Sequence, residues 1–267
     1  MSEATEPMQG DILVDRSDPA IAVVTLNQPK RRNAVKLAMW RELGRLYENF
    51  SSDRELRAVI LTGAGGTFSA GADISEFDEV RATVEQGREY EHTADVCQTA
   101  IASCPKATIA AISGPCYGGG VGLAVSCDFR FADASAYFAI PAARLSNVYG
   151  IVETRALFEA VGLAAAKEVL FAGRRYSSGE AHQMGLATHL ADADARSAAL
   201  NFARSLTLSA PLTIKGAKVM LEAIARGETR SRKAELQAVA DEAMASDDYK
   251  EGVAAFAEKR DPKFRGT

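Results

Sequence analysis

The 267-residue chain is poor in the residues that bind metals or form crosslinks, with three histidines and four cysteines. Cys97, Cys104, Cys116 and Cys127 make no C-x-x-C pair, and none clusters with His92, His182 or His189. That spacing argues against a zinc site and against a disulfide framework. Buried or free thiols in a reducing cytosol are expected, and with them a cytoplasmic location. No apolar run approaches the roughly 20 residues of a membrane span. The first residues, Met1 to Pro7, are acidic and lack an apolar stretch, so they do not read as a signal peptide. Neither charge sign dominates: 31 Lys and Arg stand against 35 Asp and Glu, and this mildly acidic balance is a poor match for general nucleic-acid binding. No G-x-x-x-x-G-K-S/T occurs, which excludes a P-loop. No G-x-G-x-x-G can be placed either, which speaks against a dinucleotide fold. Internal repeats and low-complexity tracts are absent.

What remains is a chain with 47% hydrophobic and 25% charged residues, ordinary for a globular protein and unlike a disordered, fibrous or coiled-coil one. Strands are expected at Ile12 to Asp15, Ile21 to Asn27, Ala58 to Thr62, Ala107 to Ser113, Phe129 to Ala132 and Tyr137 to Ile140. Helical spacing runs over Lys36 to Phe50, Glu76 to Ser103, from Val121, over Val152 to Val161 and over Ala164 to Phe171. This alternation predicts parallel strands with crossover helices. Ser178 opens a further helix that Gly185 closes. From Ala195 to Lys259 almost everything has helical period, broken near Pro211 and Gly227. The expected organisation is an α/β body over residues 1–200 and a helical part over 201–267.

Two glycine-rich turns stand out. One is Gly65-Gly66-Thr67-Phe68-Ser69-Ala70-Gly71-Ala72-Asp73, directly after a strand. The other is Gly114-Pro115-Cys116-Tyr117-Gly118-Gly119-Gly120-Val121-Gly122, between a strand and a helix. Glycine lets backbone approach a ligand closely. The second turn also offers N–H groups at a helix N-terminus, where negative charge is favoured. Each turn alone can be no more than a tight strand-to-helix connection. Two that converge can hold an oxyanion between two N–H donors.

These turns belong to an ordered series: Asn27-Gln28-Pro29-Lys30-Arg31-Arg32-Asn33-Ala34, Phe68-Ser69-Ala70-Gly71-Ala72-Asp73, Gly118-Gly119-Gly120, Ser126-Cys127-Asp128, then Ser246 to Gly252 and Ala255 to Phe264. Over nearly its whole length the chain resembles the enoyl-CoA hydratase/isomerase family, the crotonase superfamily. The resemblance implies a spiral of ββα turns followed by C-terminal helices, assembled as a homotrimer or a dimer of trimers. It implies acyl-CoA thioester substrates, with coenzyme A arriving as part of the substrate and no metal or other cofactor. By position, the oxyanion N–H groups fall at Ala72 and Gly119. Ala34 and Ala70 match backbone that lines the CoA moiety, Lys30, Arg31 and Arg32 are candidates for its phosphates, and Asp73 and Ile74 follow as substrate-side positions. Lys30 to Arg32 can equally be a solvated basic turn.

The chain departs from the family where hydration is catalysed. Hydratases of this family use two glutamates; here those positions are Gly122 and Ala142, and a third acid used by some members is Gly150. Neither glycine nor alanine transfers a proton, so ordinary hydration is not expected. Tyr149 and Glu153 are the nearest protonatable groups. Tyr149 lies close to a tyrosine of the family's methylmalonyl-CoA decarboxylases, whose pocket histidine is Ala72 here. Core packing for Tyr149, and a helix-start acid for Glu153, are the competing readings. Asp73, Glu76 and Asp78 read mainly as loop or helix-start acids, and His92 as a surface residue. The expectation is an acyl-CoA lyase or isomerase working through an enolate; the alternative is a CoA-thioester-binding protein with little catalysis.

Overall fold

Residues 11–267 are described by the computed structural model; Met1 to Pro7 lie outside the described residues. The chain runs β1 (Ile12–Asp18), β2 (Ile21–Leu26), α1 (Leu37–Ser52), β3 (Ala58–Gly63), α2 (Phe77–Val80), α3 (Val84–Ser103), β4 (Ala107–Ile112), β5 (Pro115–Tyr117), α4 (Gly119–Ser126), β6 (Phe129–Ala132) and β7 (Tyr137–Ala139). It continues through α5 (Ile151–Ala172), β8 (Tyr176–Ser177), α6 (Ser178–Gln183), β9 (His189–Leu190), α7 (Ala195–Leu206), α8 (Pro211–Ala225), α9 (Lys233–Ala245) and α10 (Asp247–Glu258).

The apolar runs of β2, β3 and β4 are buried almost throughout. They pair in parallel at the centre of a six-stranded sheet ordered β1-β2-β3-β4-β6-β9, in which β1 is antiparallel to β2. Continuous apolar sequence is what a parallel sheet covered on both faces requires. Alternate residues enter two cores. Val24, Leu61 and Ile112 join the core that contains α1 and α3. Val23, Ile60 and Ile109 pack against Ala195, Ala199 and Ala203 of α7, whose small side chains let the helix lie close. Residue 200, the expected division, falls within this helix.

A second layer grows from short extended pieces that follow the main strands. Isolated bridges join Val35 to Ala72 and Ser69 to Cys116; β5 then pairs with β7 in parallel, and β7 with β8. Each turn of the chain repeats one pattern: a main strand, a rung of the second layer, a helix. This is the α/β spiral expected from the sequence, and it stacks the two glycine-rich turns beside each other.

Three local differences have clear causes. The helix expected over Glu76 to Ser103 is two helices, because Thr83 caps α3: its side chain accepts from the Gln86 N–H while Gln86 reaches back to the Thr83 N–H. The two segments expected between Val152 and Phe171 form one span, interrupted where Gly162 takes φ 76°. The helical C-terminal stretch is also broken at Ser246, which caps α10 by accepting from the Tyr249 N–H.

Candidate active site

The first glycine-rich turn is laid against the second by backbone bonding. Val35 N–H donates to Gly71 carbonyl (2.7 Å) and Asp73 N–H to Val35 carbonyl (3.0 Å), so the intervening Ala72 N–H is left out of the ladder. Ser69 N–H donates to Pro115 carbonyl and Tyr117 N–H to Ser69 carbonyl, both at 2.9 Å. Gly71 takes φ 89°, and a Cβ there would lie 2.6 Å from the Tyr117 carbonyl oxygen, so only glycine permits this approach. Gly119 is the first residue of α4, where N–H groups have no acceptor in their own helix. A Cβ on Gly119 would lie 3.7 Å from the Ala72 nitrogen. Since Cβ stands about 2.5 Å from its own nitrogen, the two nitrogens are at most about 6 Å apart. Two N–H···O bonds of about 3 Å each span that gap. Among the described residues, neither N–H has a hydrogen-bond partner.

Both groups sit in the wall of a cleft of about 560 Å³. Its apolar side comes from Trp40 of α1, Phe77 of α2 and Tyr90 and Ala94 of α3. Trp40 is buried, its indole N–H donates to the Tyr90 hydroxyl (3.0 Å), and its ring stands where a Gly119 side chain would begin. Phe77 meets Tyr90 edge-on at 5.7 Å. The guanidinium of Arg81 lies over both rings and donates to Glu91 and to Asn147. Arg81 thereby ties the α2–α3 break to the segment before α5.

Two acids, Glu91 and Glu153, line the cleft, and Asp95 lies close enough to act on Glu153. Glu153, in the first turn of α5, is 8% exposed and accepts from Gln98 Nε2 at 2.9 Å. Burial pushes its carboxyl up to about 7; the Gln98 bond and Arg81 pull it down, and Glu91 and Asp95 add to the rise. Burial also raises Glu91, against the pull of Arg81, and raises Asp95. Tyr149 lines the cleft, and its hydroxyl is 3.2 Å from where a Gly118 side chain would begin. Burial first, and the nearby Glu153 charge second, hold this phenol protonated well above the usual tyrosine range.

Of the residues singled out from the sequence, Ala70, Ala72, Ile74, Gly119, Tyr149 and Glu153 are brought together in the cleft wall. Lys30 and Arg32 are exposed and Ala34 is buried, and all three stand outside that wall. Asp73 is outside it too: its carboxylate is occupied by Arg31 (3.0 and 3.1 Å) and by the hydroxyl and N–H of Ser75. Glu76 accepts from the Leu37 N–H and so finishes the start of α1. His92 is exposed. Sequence reasoning passed over Trp40, Arg81, Tyr90, Glu91 and Gln98. The spacing of Glu91, Asp95 and Gln98, one face of α3, was the available signal, and it joins Glu153 only once α5 packs against α3. Among the described residues, no group of three or more His, Cys, Asp or Glu could hold a metal ion, and no helix is long and apolar enough to cross a membrane.

A family model described as enoyl-CoA hydratase/isomerase matches residues 16–267. The short-chain-enoyl-CoA hydratase of Clostridium acetobutylicum is 34% identical over 90% of this chain and 92% of its own length. Among solved structures, an enoyl-CoA hydratase/isomerase family protein from Hyphomonas neptunium superposes with a TM-score of 0.91 at 34% identity, covering 96% of this chain and 98% of that one. The enoyl-CoA hydratase of Bacillus anthracis gives 0.87 at 30% identity, over 97% of this chain and 100% of that one. With the ordered motifs, the spiral and the paired turns all agreeing, the chain belongs to the enoyl-CoA hydratase/isomerase family.

Proposed function

We propose that the cleft binds an acyl-CoA thioester and forms its enolate, with the N–H groups of Ala72 and Gly119 on the thioester oxygen and Glu153 exchanging the α-proton. The observation that carries this reading is the meeting, in one cleft, of two backbone N–H groups without a hydrogen-bond partner among the described residues and a carboxyl that burial pushes up to about 7. In the step, the α-carbon–hydrogen bond breaks and the proton passes to the Glu153 carboxylate. The electron pair enters the enolate, whose oxygen takes the negative charge. One such N–H donor is typically worth about 2.7–4 kcal/mol of barrier. A base with a pKa near the working pH is the most effective kind. Tyr149, held protonated, is a second donor beside the oxyanion turn. Lys30 and Arg32 meet the CoA phosphates, and the backbone at Ala34 and Ala70 lies along the CoA moiety.

This chemistry needs no metal and no redox group. Because Gly122 and Ala142 carry no acid, the main reaction is a lyase or isomerase step other than simple hydration. The reading places the protein in the cytoplasm, as a homotrimer or a dimer of trimers; the exposed apolar residues Tyr249, Val253 and Phe256 of α10 support an assembly.

A panel of CoA thioesters in heavy water tests this. Deuterium is expected at the α-carbon of at least one thioester, at a rate that Glu153→Gln lowers about 100-fold or more. Tight binding with no exchange or turnover on any of them would overturn it in favour of a thioester-binding protein.

A further inference from the structure

Position 122 is an unusual place for glycine. Residues Gly120 to Ser126 of α4 are all buried, and glycine is unfavourable inside a helix. Open space does not explain it. A Cβ on Gly122 would come within 3.0 Å of Glu153 Oε1 and 3.2 Å of both Gln98 Nε2 and Gln98 Oε1. The space is therefore filled by polar atoms from two other helices, α3 and α5. Gln98 is fully buried, and its amide donates to Glu153 while its own oxygen has no partner among the described residues. Among the described residues nothing else bonds that amide, so its one hydrogen bond there serves to fix the Glu153 carboxyl.

We infer that residues 122 and 153 share one position in the cleft: Glu153, steered by Gln98, puts its carboxyl into the space that a side chain on Gly122 would fill. The cleft receives from α5 a group that α4 does not carry. Gln98 is then a positioning residue, and Gly122 is the vacancy the arrangement needs. The charged and titratable groups around the pair are Glu91 and Asp95 of α3, Arg81 before it, and Tyr149 before α5. The inference rests on the reading of Glu153 as the proton carrier for its catalytic consequence, but its geometry stands apart from it.

Transplanting the acid tests the shared position. The reporter is exchange of the α-proton of butyryl-CoA in heavy water. Glu153→Ala is expected to slow exchange about 100-fold or more. Gly122→Glu combined with Glu153→Ala is expected to recover at least about tenfold of that loss, whereas Gly122→Glu alone crowds two carboxyls into one space and exchanges more slowly than wild type. A folded double variant no faster than Glu153→Ala overturns the inference.

A second measurement needs no activity. The Glu153 carboxyl is titrated by carbon-13 NMR in wild type, Gln98→Met and Gly122→Ala. The midpoint is expected to rise in Gln98→Met, which removes the one N–H donor, and to move in Gly122→Ala, whose methyl displaces the pair. Midpoints unchanged in both folded variants overturn the inference. If wild type exchanges neither butyryl-CoA nor any other thioester of the panel yet both midpoints move, the proposed function fails and the shared position stands. If exchange depends on Glu153 but neither rescue nor movement occurs, the shared position fails and the function stands.

Discussion

The indole N–H of Trp40 donates to the hydroxyl of Tyr90 across 3.0 Å, joining α1 to α3 in the wall of the cleft with both residues buried. Removing the acceptor strands a buried donor. Tyr90→Phe should therefore lose about 1–3 kcal/mol of stability. Urea unfolding measures it; a midpoint equal to wild type would show that the bond contributes nothing.

Glu153 trades stability for its proton. In the unfolded chain its carboxyl has the ordinary value of 4.5, and in the folded protein about 7. Below pH 4.5 both states hold the proton and the group has no effect. Between pH 4.5 and 7 the unfolded chain ionises first, so stability falls as pH rises. Above 7 the penalty is complete, about 3 kcal/mol at 1.36 kcal/mol per unit. Glu153→Gln should thus be more stable than wild type at pH 8, by up to about 3 kcal/mol, and similar at pH 4.5. Equal unfolding free energies at pH 8 would contradict this.

Crotonyl-CoA should be hydrated poorly, with turnover at least about 100-fold below an ordinary family hydratase, since each missing acid is typically worth about 10²–10⁴. A steady-state assay decides it, and comparable turnover would refute the expectation. On whichever thioester proves active, Tyr149→Phe should lower kcat by more than about threefold. A smaller effect would leave the phenol as packing.

The exposed pair Lys30 and Arg32 should act on binding alone. Replacing both by alanine should raise KM for an acyl-CoA by about fivefold at low salt with kcat preserved, and the difference should shrink as salt screens the phosphates. A KM that does not move would return these residues to a solvated turn.

The central strands were legible because a doubly covered parallel strand, such as Ala107 to Ile112, spells itself as an unbroken apolar run. The second layer was not. Val35 and Ser69 each join it through a single bridge, and Tyr176 through a two-residue strand, lengths that leave no periodicity to read. At the site, the glycine turns pointed to Ala72 and Gly119 by motif order, and Glu153 was visible as the acid nearest two missing ones. Its partner Gln98 lies 55 residues away on a different helix, so nothing local joined them. Asp73 was read mainly as a loop or helix-start acid and also as a substrate-side position; its carboxylate accepts from Ser75 and pairs with Arg31, as the first reading has it.

The two unpartnered groups at Ala72 and Gly119 are main-chain amides, and this gives the cleft an uneven genetic exposure. Among the twenty encoded residues, only proline lacks that hydrogen, so every other codon change at 72 keeps the donor, whereas at 119 any side chain also meets the Trp40 ring, 3.0 Å from where its Cβ would stand. The acids around it enjoy no such protection, since one base change can delete a carboxyl or create one. A single base change can therefore remove the Glu153 carboxyl from the cleft, while at 72 it leaves the backbone amide hydrogen unless it encodes proline.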